Sequence, residues 1–244
     1  MYGKRVYRSS VKNSGLLKFR VQYYESDLFI CAESNLQSKA KELLVFYHSL
    51  ISKYIEHNQV FANSLTPVAV DVQAPLIVEN MINAALKAEV GPMACVAGAI
   101  AEFVGNDLLK YSKEIIVENG GDIFLSIKEP RRVGIFAGVN SIYNKIALRF
   151  TPEKTPCGIC TSSGTIGHSL SFGSTMATVI IADSALVADG FATAIANRVK
   201  SDEDIPIVLE RIKFERLIKA AVIITAKEFA VHGDIELEIL DKAL

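Results

Sequence analysis

Residues 114–128 read EIIVENGGDIFLSIK. Two runs rich in β-branched and aromatic side chains flank Gly120–Gly121, and each has the length of a strand. Paired glycines permit the positive φ angles of a tight two-residue hairpin, so the stretch predicts two antiparallel strands, 114–118 and 122–128. A second reading uses the same property. Without Cβ atoms the backbone can approach a flat ring or a phosphate, and its N–H groups can point at an anion. Locally the hairpin comes first; the ligand-facing bend stays open for Asn119, Gly120, Gly121 and Asp122.

Working outward, Pro130 separates this pair from further strands at 132–136 and 145–150. Upstream, apolar side chains recur at helical spacing from Leu36 to Ile55, and the spacing predicts a long amphipathic helix. A second helix is expected from Pro75 to about Lys87, since proline suits a first helical position. Gly91–Pro92 opens a third, MACVAGAIAEFVGNDLLK, whose small apolar first half suits packing on more than one face. At the N-terminus, the runs 4–11 and 16–31 read as a hairpin turning at Asn13–Ser14–Gly15. Downstream come a strand at 178–182 and a helix, SALVADGFATAIANRVK, capped by Asp183 or Ser184. A short helical piece at 204–217 follows, then two strands, 219–226 and 230–240, with a turn near His232–Gly233. These elements predict one α+β domain over residues 1–244, mostly antiparallel sheets packed with several helices.

The chain has 244 residues, half of them hydrophobic, and a formal net charge of −1. No basic block or stripe marks a nucleic-acid partner. The polar N-terminus lacks the apolar core of a signal peptide. The apolar runs 90–101 and 176–188 fall short of the ~20 residues of a membrane span. Four cysteines do not make a disulfide scaffold. The expectation is a cytoplasmic protein, without membrane or nucleic-acid partners, that takes a small nucleotide or anionic ligand. A homo-oligomer is left open.

The stretch 157–173, CGICTSSGTIGHSLSFG, concentrates reactive side chains. Cys157 and Cys160 form a CxxC. No second cysteine pair completes a structural zinc site, and a loop rather than a helix is expected to follow, unlike the thioredoxin arrangement. Sulfur carriage as a persulfide or a reversible disulfide stays open, beside the plain reading of two small residues at a strand end. Thr161, Ser162, Ser163 and Gly164 read as a hydroxyl- and glycine-rich loop able to cradle an anion. His168 is the histidine in a polar, glycine-rich setting and the candidate acid/base. On the helix at 184–200, Asp189 and Thr193 lie four residues apart and stack on one side, nearly opposite the core stripe. A carboxylate and a hydroxyl on a mostly apolar surface can ligate a hard cation such as Mg²⁺, or be an incidental pair. No G-x-S-x-G elbow, Walker A loop or G-x-G-x-x-G is present.

Several of these segments, in order, resemble the ApbE family, the FAD-dependent FMN transferases. Val117–Ile123 is similar to its strand–GGD–strand motif, Val133–Gly134–Ile135 to the following VGI strand, and Thr161–Gly164 to its ATSG loop. His168 falls near the family's histidine. Thr178–Ala182 and Ala188–Ala194 resemble its VTVIAP and ADALATA segments. The match covers roughly residues 90 to 200 and is nearest to a compact, functionally uncharacterised branch of anaerobic prokaryotes and archaea.

The resemblance implies an ApbE-like fold, FAD as ligand, and Mg²⁺ on Asp189 and Thr193. The chain departs from the pattern in three places. Val96–Ala97–Gly98–Ala99 replaces an Ala-Lys-Gly-Tyr run, His168–Phe172 replaces H-I-I-D-P, and neither the export signal nor the lipid-anchor cysteine common in the family is expected here. The sequence therefore predicts a flavin or nucleotide pocket with Mg²⁺, related to FMN transfer. The alternatives are a thiol protein using Cys157 and Cys160 and a ligand-binding module without turnover.

Overall fold

Alternation along the strands sorts the chain into three layers. The computed structural model describes residue 8 and residues 15–138, 141–164 and 173–241. One antiparallel sheet of eight strands runs in the order β1-β2-β3-β4-β7-β8-β9-β10. Its members are β1 Leu17–Tyr23, β2 Ser26–Ala32, β3 Ile115–Asn119, β4 Asp122–Ser126, β7 Cys157–Ser162, β8 Ala177–Ala182, β9 Ala220–Ile224 and β10 Phe229–Gly233. A second sheet of three strands, in the order β11-β6-β5, holds β5 Arg131–Gly134, β6 Ile146–Phe150 and β11 Glu236–Ile239. The helices are α1 Gln37–His57, α2 Gln59–Asn63, α3 Leu76–Ala88, α4 Val96–Leu108, α5 Ala185–Arg198 and α6 Ile205–Phe214.

Successive side chains of a strand point to opposite faces, and here each face has its own core. Ile180 and Ala182 of β8 and Ala221 and Ile223 of β9 pack among the helices. Val179 and Ile181 of β8 and Val222 and Ile224 of β9 pack with Leu148 and Phe150 of the small sheet. The large sheet is thus apolar on both faces, which explains why its central strands read as continuous hydrophobic runs. Burying each such Val, Ile or Phe contributes about 1.5–3 kcal/mol.

Three expected elements differ. The run 16–31 is itself the hairpin: β1 and β2 turn at Tyr24–Glu25, and Tyr24 takes a φ of 48°. The proposed turn residues Asn13 and Ser14 lie outside the described residues. Residues 157–162, expected partly as a loop, form the central strand β7, paired with β4 and β8. Residues 230–240 are two strands in two sheets. The chain leaves β10 at Gly233, which has a φ of 92°, and β11 then joins β6. Among the described residues no single helix is long and apolar enough to cross a membrane.

Candidate active site

The β3–β4 turn forms as its glycines dictate. Asn119 pairs with Asp122 across it, and Gly120 and Gly121 hold φ angles of 72° and 111°. A side chain would be strained at either position. The turn brings Asp122, buried, against the end of β7, where the Thr161 N–H donates to Asp122 Oδ1 at 3.3 Å. A Cβ on Gly121 would lie 3.9 Å from the Thr161 carbonyl oxygen. The bend and the start of the hydroxyl-rich stretch are therefore neighbours.

Helix α5 enters the same region. Ser184 is its N-cap, accepting from the Val187 N–H at 3.5 Å. Glu102 of α4 also accepts from the Ser184 hydroxyl at 2.8 Å and the Ala185 N–H at 2.6 Å. One turn further on, Asp189 is buried and accepts from the Gly98 N–H at 2.8 Å. Gly98 belongs to the first turn of α4, whose N-cap, Cys95, offers no side-chain cap. The first amides of a helix lack internal partners and favour negative charge, so Asp189 takes over the missing cap. Close approach makes this contact: a Cβ on Gly98 would sit 2.3 Å from the Ala185 carbonyl oxygen and 2.9 Å from Asp189 Cβ. Asn119 ties the turn to the same helix end, donating from Nδ2 to the Ala97 carbonyl at 3.2 Å.

The electrostatics follow from this crowding. Burial, and then the negative charge of Asp122, hold the Asp189 carboxyl well above the usual aspartate range; the amides of Gly98 and Ala97 pull the other way. The thiols of Cys95 and Cys160 are also raised well above the ordinary cysteine range, by burial first and then by the two aspartates. Two adjacent carboxylates in a desolvated place favour a shared proton or a bound cation.

β7 runs alongside α5. A Cβ on Gly158 would lie 2.3 Å from Ala185 Cα, and Cys160 Sγ donates to the Ala185 carbonyl at 3.2 Å. Ser162 faces the helices, is 7% exposed, and its hydroxyl finds no partner among the described residues. Ser163 turns back instead, its hydroxyl donating to the Thr175 carbonyl at 3.3 Å, and the Gly164 N–H bonds the same carbonyl at 3.0 Å. Thr193 is half-buried, one turn beyond Asp189. His168 lies outside the described residues.

Cys157 and Cys160 do not come together. Three residues apart on a strand, they point to opposite faces: Cys157 into the core shared with the small sheet, Cys160 into the helical core. Both are buried and free, and burial pushes the Cys157 thiol up to about 12. A thiol needs its thiolate and access to react, so the structure corrects the expectation of a working CxxC pair. Among the described residues no group of three or more His, Cys, Asp or Glu side chains is placed to hold a metal ion. A cation here would draw on Asp189, Thr193 and neighbouring oxygen atoms.

Spacing did not reveal the amide of Gly98 or the closeness of Asp122 to Asp189. One signal was available. A helix opening with PMACVAG carries no Ser, Thr, Asp or Asn at its start, so it must borrow an acceptor.

The profile of the family described as "AbpE bacteria" matches residues 8–228. The chain belongs to this ApbE-like family. A UPF0280 protein of Methanocaldococcus jannaschii is 39% identical over 212 residues, 84% of this chain and 86% of its own. A UPF0280 protein of Methanococcus vannielii is 40% identical over 197 residues, 78% of this chain and 79% of its own. Among solved structures, the ApbE protein of Thermotoga maritima superposes with a TM-score of 0.55 at 12% identity, over 93% of this ApbE-like chain and 97% of that one. The flavin transferase ApbE of Vibrio cholerae gives 0.51 at 13% identity, over 89% and 96%. At these identities the likeness is one of fold, and it agrees with the helices and antiparallel sheets described above.

Proposed function

We propose that this ApbE-like protein binds a phosphate-bearing ligand, a flavin or related nucleotide, together with a divalent cation such as Mg²⁺, at the meeting point of the β3–β4 turn, the end of β7 and α5. The observation that carries this reading is the buried pair Asp122 and Asp189, in which burial and then the charge of Asp122 hold the Asp189 carboxyl up. The buried hydroxyl of Ser162, without a partner among the described residues, is a further oxygen at this place. These donors are all oxygens, the set that hard cations take. Asp189 and Thr193 would hold the cation, which when bound neutralises a pyrophosphate.

The chain's own residues do the rest. The Gly98 amide donates to one oxygen of Asp189 and so helps to orient its carboxylate. Asp122, which accepts from the Thr161 N–H, supplies a further carboxyl oxygen beside the bend. The bend at Gly120–Gly121 and residues 161–164 line the ligand, and His168 is the proposed acid/base. Ala97 and Ala99 stand where the resemblance sets the lysine and tyrosine of the transferases, so the reading is one of binding first and of transfer-related chemistry second.

The test is calorimetric titration of the purified protein with FAD in the presence of MgCl₂ and of EDTA. Binding that needs the metal, and that Asp189→Asn abolishes, is the expected result. Equal binding with and without metal would overturn the cation's part, and no binding of FAD or ADP would overturn the ligand class.

A further inference from the structure

The Gly120–Gly121–Asp122 bend is held from outside as well as by its own backbone. The Gly121 N–H donates to Glu118 Oε1 at 2.8 Å. The other oxygen of Glu118 accepts from Arg8 Nε at 2.6 Å. Arg8 is far away in sequence, and its fork is divided between two elements. Its Nη1 lies 3.0 Å from Asp27 Oδ1, and its Nη2 donates to the Asp27 carbonyl at 2.7 Å. The side chains of Arg8, Asp27 and Glu118 are 11%, 11% and 9% exposed. Asp27 also meets Arg20, through Nε at 2.5 Å and Nη2 at 2.7 Å. Two guanidinium groups and two carboxylates thus balance near the turn end of the β1–β2 and β3–β4 hairpins. A guanidinium presents five donors in a rigid plane and cannot lose its charge, so one residue can bridge both hairpins at fixed geometry.

We propose that Arg8 and Glu118 are positioning residues for the ligand-facing bend: Arg8 fixes Glu118, Glu118 fixes the Gly121 amide, and the bend so held places Asp122 beside Asp189. The inference rests on the reading of this bend as part of the ligand site. Glycines at positive φ are the least constrained residues of the chain when nothing holds them. Without Arg8, the carboxylates of Glu118 and Asp27 face each other in a desolvated place, and Glu118 turns away from Gly121. Arg20 pairs with Asp27 from the outer side of the cluster, its own side chain half exposed, so it serves as the internal control.

The experiment compares Arg8→Ala, Arg8→Lys, Glu118→Gln and Arg20→Ala with the wild type. It measures site-resolved amide exchange in the ligand-free protein and FAD affinity in MgCl₂. Arg8→Ala and Glu118→Gln are expected to speed exchange at Gly121 by roughly ten-fold or more, the size of a lost charge-assisted hydrogen bond, and to weaken FAD binding in parallel. Exchange at Ile180, deep in β8, stays unchanged. Arg8→Lys restores part of the protection, and Arg20→Ala leaves Gly121 as in the wild type. Unchanged Gly121 exchange in both Arg8→Ala and Glu118→Gln would overturn the proposal, as would an equal response to Arg20→Ala. Should Arg8→Ala fail to fold, Glu118→Gln, which keeps the side-chain volume, carries the test. A wild type that retains no FAD overturns the flavin reading alone, because the exchange comparison needs no ligand.

Discussion

Glu102 and Asp189 cap each other's helices. Glu102, in the second turn of α4, accepts from the opening amides of α5, and Asp189, in the second turn of α5, accepts from the opening turn of α4. The two helices run antiparallel and interlock through these carboxylates. Each carboxyl is raised, Glu102 by burial and Asp189 by burial and then Asp122, while the helix amides oppose the shift. One residue of the candidate site is thus also a structural joint.

That double duty separates two effects of Asp189→Asn. A carboxyl raised in the folded state binds its proton more tightly there than in the unfolded chain. It therefore contributes stability that declines as pH rises from the ordinary aspartate value of about 3.9 through the folded value. In metal-free buffer the thermal midpoint of Asp189→Asn should fall less steeply above about pH 4 than that of the wild type. MgCl₂ should raise the wild-type midpoint and leave the variant unmoved. Calorimetric scans with and without metal check both limbs, and a variant still stabilised by MgCl₂ contradicts the assignment.

Gly98→Ala should loosen the same joint by space alone. The added carbon meets the Ala185 carbonyl oxygen at 2.3 Å, a contact of backbone on backbone that no rotamer change relieves. Overpacking of this kind costs about 1–3 kcal/mol. Urea denaturation should show a loss in that range; a change below ~0.5 kcal/mol would mean that α4 and α5 can part without cost.

The thiols offer a check of strand geometry. Because β7 sends Cys157 and Cys160 to opposite faces, no oxidant should join them while the sheet is intact. All four cysteines are buried and free, so a thiol reagent should react slowly with the native protein and promptly after denaturation. Mass mapping of a Cys157–Cys160 disulfide in folded protein would contradict the register of β4, β7 and β8.

Glu114 sets an acid limit on stability. Burial would raise its carboxyl, but the Lys128 N–H, the Arg131 guanidinium and the Glu129 N–H outweigh that and hold it below the usual range. A depressed carboxyl contributes stability that is full above the unfolded value, about 4.3, and is lost as pH falls through the folded value. Glu114→Gln should be less stable than the wild type at pH 7 by roughly 1.5–3 kcal/mol, the range for hydrogen bonds to a charged group. The difference should close as the pH is lowered below 4. Denaturation midpoints measured between pH 7 and pH 3 decide it.

Where a local rule sufficed, the fold was legible. Gly120–Gly121 announced a turn because few other residues accept two positive φ angles, and Ser184 announced a helix start because its hydroxyl reaches the third amide beyond. The β1–β2 turn was not legible: Tyr24 and Glu25 carry no turn chemistry, and Tyr24 adopts a conformation that local preference disfavours. β7 was missed because Cys-Gly-Ile-Cys-Thr-Ser has weak strand propensity. Its partners on both sides make it a strand, and the nearer in sequence is some 20 residues away. For the candidate site, spacing placed Asp189 and Thr193 on one side of a helix, and the resemblance grouped them with the bend and the hydroxyl-rich stretch. What neither conveyed was the neighbourhood of Asp122 and the borrowed cap at Gly98. Both are tertiary facts, created when α4 and α5 approach to within glycine distance.

The strict sidedness of β7 restricts how its lineage can change. Within 157–162 every residue has a face, so substitutions of similar size are open to drift. A gain or loss of a single codon is another matter. It would rotate every later position of the strand through half a turn, send the Ser162 hydroxyl into the apolar layer on the other side, and turn an oily residue toward the helices in its place. Length variation among relatives should therefore be absent between Cys157 and Ser162, however far their sequences have diverged.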